Sequence, residues 1–207
     1  MSQLDFIHQF VAAEAQGEGK RVLLLLHGTG GDENQLLPLG RELDPRASYL
    51  SVRGKVSENG MPRFFRRLAE GVFDEEDVVR RAQELGTFVT AAAASYQFAV
   101  AQLVVVGYSN GANIAAGMML LGLASFPNAI LFRGMVPLEP AGRPRLNGTR
   151  VLVSSGDADP IIPSENSERL ARLLQSGGAE VTLVRQSAGH GLVAADVELA
   201  RKWLSQL

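Results

Sequence analysis

Residues 103–120 read LVVVGYSNGANIAAGMML, and this stretch decides the fold. The run from Leu103 to Val106 is rich in β-branched residues, which is typical of a strand buried on both faces. The small residues from Ala112 onward are typical of a tightly packed helix. Between them stands Gly107-Tyr108-Ser109-Asn110-Gly111, which has the Gly-x-Ser-x-Gly spacing of a nucleophile elbow.

The spacing of this motif has a steric reason. A strand that turns abruptly into a helix strains its central residue, and a Cβ two positions before or after it would collide. Gly107 and Gly111 remove those collisions. Ser109 is then lifted to a helix N-terminus, where backbone amides favour developing negative charge. A five-residue pattern can also arise by chance, but the strand before it and the helix after it favour Ser109 as a nucleophile.

The composition predicts one soluble globular domain spanning residues 1–207. The chain is 46% hydrophobic and 20% charged with a net charge of −2, which suits a substantial core. Lys and Arg (20) do not outnumber Asp and Glu (22), so no nucleic-acid partner is expected. No apolar run resembles a signal peptide or a membrane span, which predicts a cytoplasmic protein. The absence of cysteine excludes disulfides, thiol nucleophiles and thiolate metal sites.

Apolar runs and turn signals along the chain predict six strands separated by helices. The predicted strands are 21–26, 48–52, 103–106, 129–132, 150–154 and 180–185, and the predicted helices include 35–43, 74–98, 164–174 and 193–204. This alternation predicts an α/β fold with a doubly wound, mostly parallel sheet, helices on both faces and a small cap or none. The spacing of Leu4, Ile7, Phe10 and Val11 further predicts an amphipathic helical segment at the domain edge.

Candidate partners of Ser109 follow the later strands, because functional residues of such a sheet gather at the carboxyl ends of its strands. His190 lies just beyond the last predicted strand with a glycine on each side, which suits a general base. Asp157 and Asp159 are both candidates for the acid that orients it. We favour Asp159, because the Asp159-Pro160 turn and the apolar Ile161-Ile162 would fix its backbone, whereas Asp157 suits a loop hydrogen-bonding role.

Four segments together resemble a known family. LLLHGTGGDENQ, GYSNGANIA, GDADPIIP and AGHGL look like the serine carboxylesterase and lysophospholipase branch of the α/β-hydrolases, which includes acyl-protein thioesterase-like enzymes. The resemblance spans about Val22 to Trp203. It implies a Ser109, Asp159, His190 triad, since the family's Gly-x-x-Asp-x-x-aliphatic-Pro pattern falls on GDADPIIP at 156–163.

The same resemblance implies an oxyanion hole formed by the backbone amides of Thr29 and Asn110. Two amides aimed at the carbonyl oxygen would stabilise a tetrahedral intermediate. His27, just before Thr29, is expected to orient this loop and not to exchange protons. No cofactor and no metal is implied, and related enzymes are monomers or homodimers.

The connection from Lys55 to Phe73 departs from the thioesterase pattern. It resembles a bacterial hydrolase subgroup linked to hydroquinone and aromatic-compound resistance, and no two-histidine-one-carboxylate iron motif is visible. Its apolar residues either line an acyl or aryl pocket over Ser109 or anchor the connection to the core. The predicted substrate-binding residues are Met61, Phe64, Phe65 and, beside the histidine, Leu192.

Three arginines of this connection, Arg63, Arg66 and Arg67, predict a solvated face paired with nearby acidic residues. The expected acidic partners are Glu70, Asp74 and Glu75. The alternative is an anion site.

Two other function classes fit less well. A dinucleotide-binding turn at Gly28-Thr29-Gly30 is disfavoured, because Glu33 occupies the third glycine position and no Walker lysine follows. A non-catalytic binding protein on this scaffold would usually lack a triad member. The sequence therefore predicts a serine carboxylesterase acting on small to medium esters through an acyl-enzyme, with lysophospholipase or acyl-thioesterase activity as the alternative.

Overall fold

The computed structural model describes residues 4–13, 21–123 and 126–207. In chain order the elements are β1 (His8–Val11), β2 (Val22–Leu26), α1 (Leu37–Leu43), β3 (Ser48–Val52), β4 (Val56–Glu58), β5 (Met61–Arg63), β6 (Arg67–Ala69), β7 (Val72–Phe73), α2 (Glu75–Ser95), a 3₁₀ turn (Val100–Gln102), β8 (Leu103–Tyr108), α3 (Asn110–Leu120), β9 (Asn128–Phe132), β10 (Arg150–Gly156), α4 (Ser164–Ser176), β11 (Glu180–Gln186) and α5 (Ala194–Leu204). Seven of these strands form one sheet in the order β1-β3-β2-β8-β9-β10-β11.

Six strands of the sheet are parallel, so the doubly wound, mostly parallel architecture predicted from the sequence is confirmed. Side chains of the central strands alternate between two cores. Leu24 and Val105 face the core covered by α2, α3 and α4, whereas Leu23 and Val104 face the core covered by α1 and α5. Since both faces are covered, the central strands are apolar throughout.

The prediction of a helix near the N-terminus is wrong: residues 8–11 form β1, an edge strand antiparallel to β3. Every second side chain faces α2, because Phe6, His8 and Phe10 each contact aromatic side chains of α2 or of the residues just after it. Phe10 stacks on Tyr96 with ring centroids 4.1 Å apart, and the ring of His8 bonds the Tyr96 hydroxyl at 2.7 Å. Aromatic packing and strand pairing therefore override the apparent helical spacing.

The connection between β3 and α2 folds as two small hairpins that the sequence analysis did not predict. Strands β4 and β5 pair through a two-residue turn in which Asn59 and Gly60 have φ of +52° and +79°. Positive φ at both central residues is the requirement of the hairpin turn that Asn-Gly favours. Strands β6 and β7 form the second hairpin. Together they place the connection beside the carboxyl ends of the central strands.

Candidate active site

Ser109 lies at the sharp turn between β8 and α3. Its φ is +52°, a strained value for a residue other than glycine, and it is the N-cap of α3. A Cβ on Gly107 would lie 2.6 Å from the Cα of Ala112, and one on Gly111 would overlap the carbonyl oxygen of Leu26 in β2. The two glycines are therefore required by the close approach of α3 to the strands.

His190 joins Ser109 to Asp159. Its Nε2 lies 2.9 Å from Ser109 Oγ and its Nδ1 lies 2.8 Å from Asp159 Oδ2. The other oxygen of Asp159 accepts hydrogen bonds from the amides of Ile161 (2.8 Å) and Ile162 (3.0 Å), and the side chain is 1% exposed. Asp159 is thus the aspartate that contacts the histidine, and its carboxylate is fixed by its own turn.

Asp157, the other candidate, lies outside this arrangement. The residue is exposed, and its backbone amide bonds the carbonyl of Gln186, which continues the pairing of β10 with β11. The two aspartates are only two residues apart, yet Asp159 contacts His190 whereas Asp157 is exposed to solvent.

Both residues predicted for an oxyanion hole, Thr29 and Asn110, line the same cleft as Ser109. In the part of the chain that the structure describes, the amides of Thr29 and Asn110 donate to no acceptor. Both residues are braced by the segment 62–64. Pro62 O accepts from Gly30 N (2.9 Å), and Phe64 N donates to the side-chain oxygen of Asn110 (2.7 Å). The hairpin connection therefore contacts both loops that carry the free amides.

His27 holds the first of these loops. The Gly54 amide, which can only donate, lies 2.9 Å from His27 Nε2, so this nitrogen is unprotonated and Nδ1 donates to the carbonyl of Gly28 at 2.6 Å. Burial lowers the pKa of His27, which keeps the ring neutral. The hydrogen bonds agree with the expectation that His27 orients the loop.

A cleft of about 380 Å³ opens beside Ser109 and His190. Part of its wall is apolar, from Phe73, Met135 and Ile162. The rest is polar and includes two guanidinium groups, from Arg63 and Arg67. The cleft therefore combines an apolar wall with cationic groups next to the serine.

The four residues predicted to bind substrate are not among those that line this cleft. Phe64 packs against His27 with ring centroids 4.7 Å apart, and Phe65 packs in the core edge-to-face against Phe73 at 5.0 Å. Met61 is 40% exposed beside Gly30, and Leu192 packs against the core under α1 and α5. The two phenylalanines anchor the connection to the core, which was the alternative interpretation.

The arginine cluster divides in a way that the sequence did not predict. Arg66 is 61% exposed and bonds Asp74, as a solvated face requires. Arg63 is 3% exposed, and both it and Arg67 contact Glu58, which was not among the expected partners. The solvated-face prediction therefore holds for Arg66 and is wrong for Arg63.

Arg133 is a residue of the site that the sequence analysis missed. It directly follows β9, is fully buried and has a φ of +51°. Its guanidinium pairs with the buried Asp196 at 2.7 Å and donates to the carbonyls of Gly189 and Gly191, each at 3.0 Å. The two carbonyls flank His190, so Arg133 fixes the histidine loop. A charged residue immediately after an apolar strand was the available signal.

Replacing Arg133 with methionine is expected to lower the free energy of unfolding by about 3–5 kcal/mol, because Asp196 would remain buried without its partner. Urea denaturation followed by circular dichroism measures the loss. Arg172→Met is the matched control, because Arg172 is exposed and its pairing with Glu168 is a surface contact. Equal midpoints for the two variants would show that the buried pair does not stabilise the fold.

Within the described ranges, no three His, Cys, Asp or Glu side chains gather closely enough to hold a metal ion. None of the described helices combines the length and the apolar character needed to cross a bilayer.

The family model described as phospholipase/carboxylesterase matches residues 8–207. The chain belongs to the phospholipase/carboxylesterase family. The chain is also 47% identical over 191 residues to MhqD of Bacillus subtilis (strain 168), a protein named as a hydrolase, with 92% of this chain and 96% of MhqD covered. The predicted family is thus confirmed.

Solved structures place this phospholipase/carboxylesterase family member among the α/β-hydrolases. A carboxylesterase from Bacillus cereus has a TM-score of 0.93 and 46% identity, covering 98% of this chain and 94% of its own. A carboxylesterase from Mesorhizobium loti has a TM-score of 0.93 and 29% identity, covering 100% of this chain and 98% of its own. The protein is a hydrolase with the α/β-hydrolase fold.

Proposed function

We propose that this protein is a serine carboxylesterase that cleaves small to medium carboxylic esters through an acyl-enzyme. The observation that carries the proposal is the continuous chain of hydrogen bonds from Ser109 through His190 to Asp159. Nucleophile, base and orienting acid follow one another at hydrogen-bonding distance, which is the arrangement that activates a serine hydroxyl.

In the acylation step, His190 Nε2 takes the proton of Ser109 as Oγ attacks the ester carbonyl. Asp159 accepts from Nδ1 and stabilises the imidazolium that forms. The negative charge on the carbonyl oxygen is stabilised by the amides of Thr29 and Asn110, which have no other acceptor among the described residues. His190 then gives its proton to the leaving alcohol.

In the deacylation step, water attacks the acyl-enzyme along the same path, with His190 again as base. Thioesters and lysophospholipids would react at the same serine. We place small esters first, because a cleft of about 380 Å³ lies near the lower end of ligand-site volumes.

A fluorophosphonate probe tests the proposed nucleophile. We expect one probe per wild-type chain, attached at Ser109, because the probe reacts with a serine activated by a neighbouring base. Intact-protein and peptide mass spectrometry measure the adduct. Ser205→Ala, which changes an exposed serine on the C-terminal turn, is the matched control and should label like the wild type. An unlabelled wild type would contradict the proposal and favour a binding protein on a hydrolase scaffold.

A further inference from the structure

Two arginines on the wall of the cleft share one carboxylate. Arg63 belongs to β5 and Arg67 to β6, and both line the cleft that contains Ser109. The Nε of Arg63 lies 3.3 Å from one oxygen of Glu58, and the Nε of Arg67 lies 2.9 Å from the other. The Nε of Arg63 donates its hydrogen bond to the carbonyl of Phe65 at 3.2 Å, and that of Arg67 donates to Glu58, so only terminal nitrogens remain to meet a ligand.

Most of those terminal nitrogens have no acceptor. Nη1 of Arg63 donates to the Thr29 hydroxyl at 2.7 Å. Within the described residues, Nη2 of Arg63 and both Nη atoms of Arg67 donate to nothing. Glu70 also lines the cleft, yet it forms no ion pair with either arginine across the described ranges. The wall therefore presents several charged donors beside the serine without an acceptor for them.

Two guanidinium groups face a single carboxylate here, because Arg63 and Arg67 both pair with Glu58. Burial, and then the charge of Arg67, lower the pKa of Arg63, against the opposing effect of Glu58. An anion that entered the cleft would supply the missing charge, and guanidinium groups bind carboxylates in a bidentate manner. The nearby Glu58 and Glu70 would repel a dianion more strongly than a monoanion.

The position of the arginines relative to the serine indicates which half of an ester they would meet. The leaving alcohol must receive a proton from His190, so its oxygen must come within reach of Nε2, the atom that bonds Ser109 Oγ. Arg63 bonds the Thr29 hydroxyl, on the loop proposed to hold the carbonyl oxygen, and among the described residues neither arginine bonds His190, Asp159 or Ile161. The acyl half of the substrate is therefore the half directed towards them.

We propose that Arg63 and Arg67 form a carboxylate subsite for the acyl half, and that monoesters of short dicarboxylic acids are a substrate class of this protein. This inference rests on the proposed esterase activity at Ser109. It adds that the preferred substrate carries a negative charge on its acyl half. Arg67 is the specificity-determining residue, because Arg63 also holds the Thr29 loop.

The test compares monoethyl succinate with ethyl pentanoate, which replaces the distal carboxylate by an ethyl group of similar length. The release of acid is followed in a pH-stat, and the measured quantity is the ratio of kcat/KM for the anionic ester to that for the neutral ester. We expect a ratio of about ten for the wild type and a roughly tenfold lower ratio for Arg67→Gln, mainly through KM for monoethyl succinate.

Two further variants make the comparison specific. Arg66→Gln is the matched control, because Arg66 carries the same charge one residue away but is exposed and bonded to Asp74, so the ratio should stay at the wild-type value. Glu70→Gln removes a negative charge from the cleft and should raise the ratio. Added salt should lower the wild-type ratio by screening the arginines.

Equal ratios for the wild type and Arg67→Gln would overturn the subsite. A preference found only for acetoxyacetate, whose carboxylate is on the alcohol half, would overturn its placement. Either failure is distinct from failure of the proposed function, because hydrolysis of neutral ethyl pentanoate that depends on Ser109 tests the esterase activity alone.

Discussion

Replacing Ser109 with alanine is expected to lower kcat for a neutral ester by about a million-fold, the scale of losing a serine nucleophile in a triad. Without Oγ no acyl-enzyme can form, although the amides of Thr29 and Asn110 and the imidazole of His190 all remain. Steady-state hydrolysis of 4-nitrophenyl acetate measures the loss. Alanine has the same backbone freedom as serine at a φ of +52°, so the turn and the fold should persist.

The control for this experiment is Ser205→Ala, which alters an exposed hydroxyl far along the chain and should keep full activity. Circular dichroism and the urea midpoint of the Ser109→Ala protein should match those of the wild type. Activity within tenfold of the wild type, in a folded Ser109→Ala protein free of wild-type contamination, would show that another group is the nucleophile.

Replacing Asp159 with asparagine is expected to lower kcat by about 10⁴-fold, the cost of presenting the wrong tautomer of the base. The asparagine carbonyl would keep the hydrogen bonds from the amides of Ile161 and Ile162. Its amide group would then face His190 Nδ1, which must accept instead of donate. The proton would be placed on Nε2, the atom that has to receive the proton of Ser109.

Asp157→Asn is the matched control for the second prediction, since the same chemical change is made two residues away on an exposed side chain. It should leave kcat within a few-fold of the wild type. A larger loss in Asp157→Asn than in Asp159→Asn would show that the carboxylate which contacts His190 in the structure is not the one that supports turnover.

Much of the sheet could be predicted from the sequence, because fully buried parallel strands appear as short apolar runs. Residues 22–26 and 103–106 are such runs, and the structure confirms both as strands. The Asn59-Gly60 dipeptide is a hairpin signal in the sequence, because Asn-Gly favours a turn with positive φ at both positions. Strand β1 could not be predicted from the sequence, because Phe10 stacks on Tyr96 and these two residues are distant in sequence.

The candidate site, like the sheet, could be predicted from the sequence only in part. Ser109, His190 and the choice between two aspartates follow from local motifs and from the order of strands along the chain. Arg133 could not be assigned, because its contacts with Gly189, Gly191 and Asp196 cross more than 50 residues. The positions of Phe64 and Phe65 could not be predicted for a related reason. The sequence does not show whether an apolar residue near a site faces the cleft or the core.

The hydrogen bonds from segment 62–64 to the loops of Thr29 and Asn110 have an evolutionary consequence. The same short hairpin that carries Arg63 also bonds Gly30, next to Thr29, and the side chain of Asn110. If Arg63 contributes to the choice of ester and the amides of Thr29 and Asn110 to the rate, as proposed, a mutation in this hairpin would change both properties at once. A hairpin transplanted from a relative would then alter selectivity and turnover together.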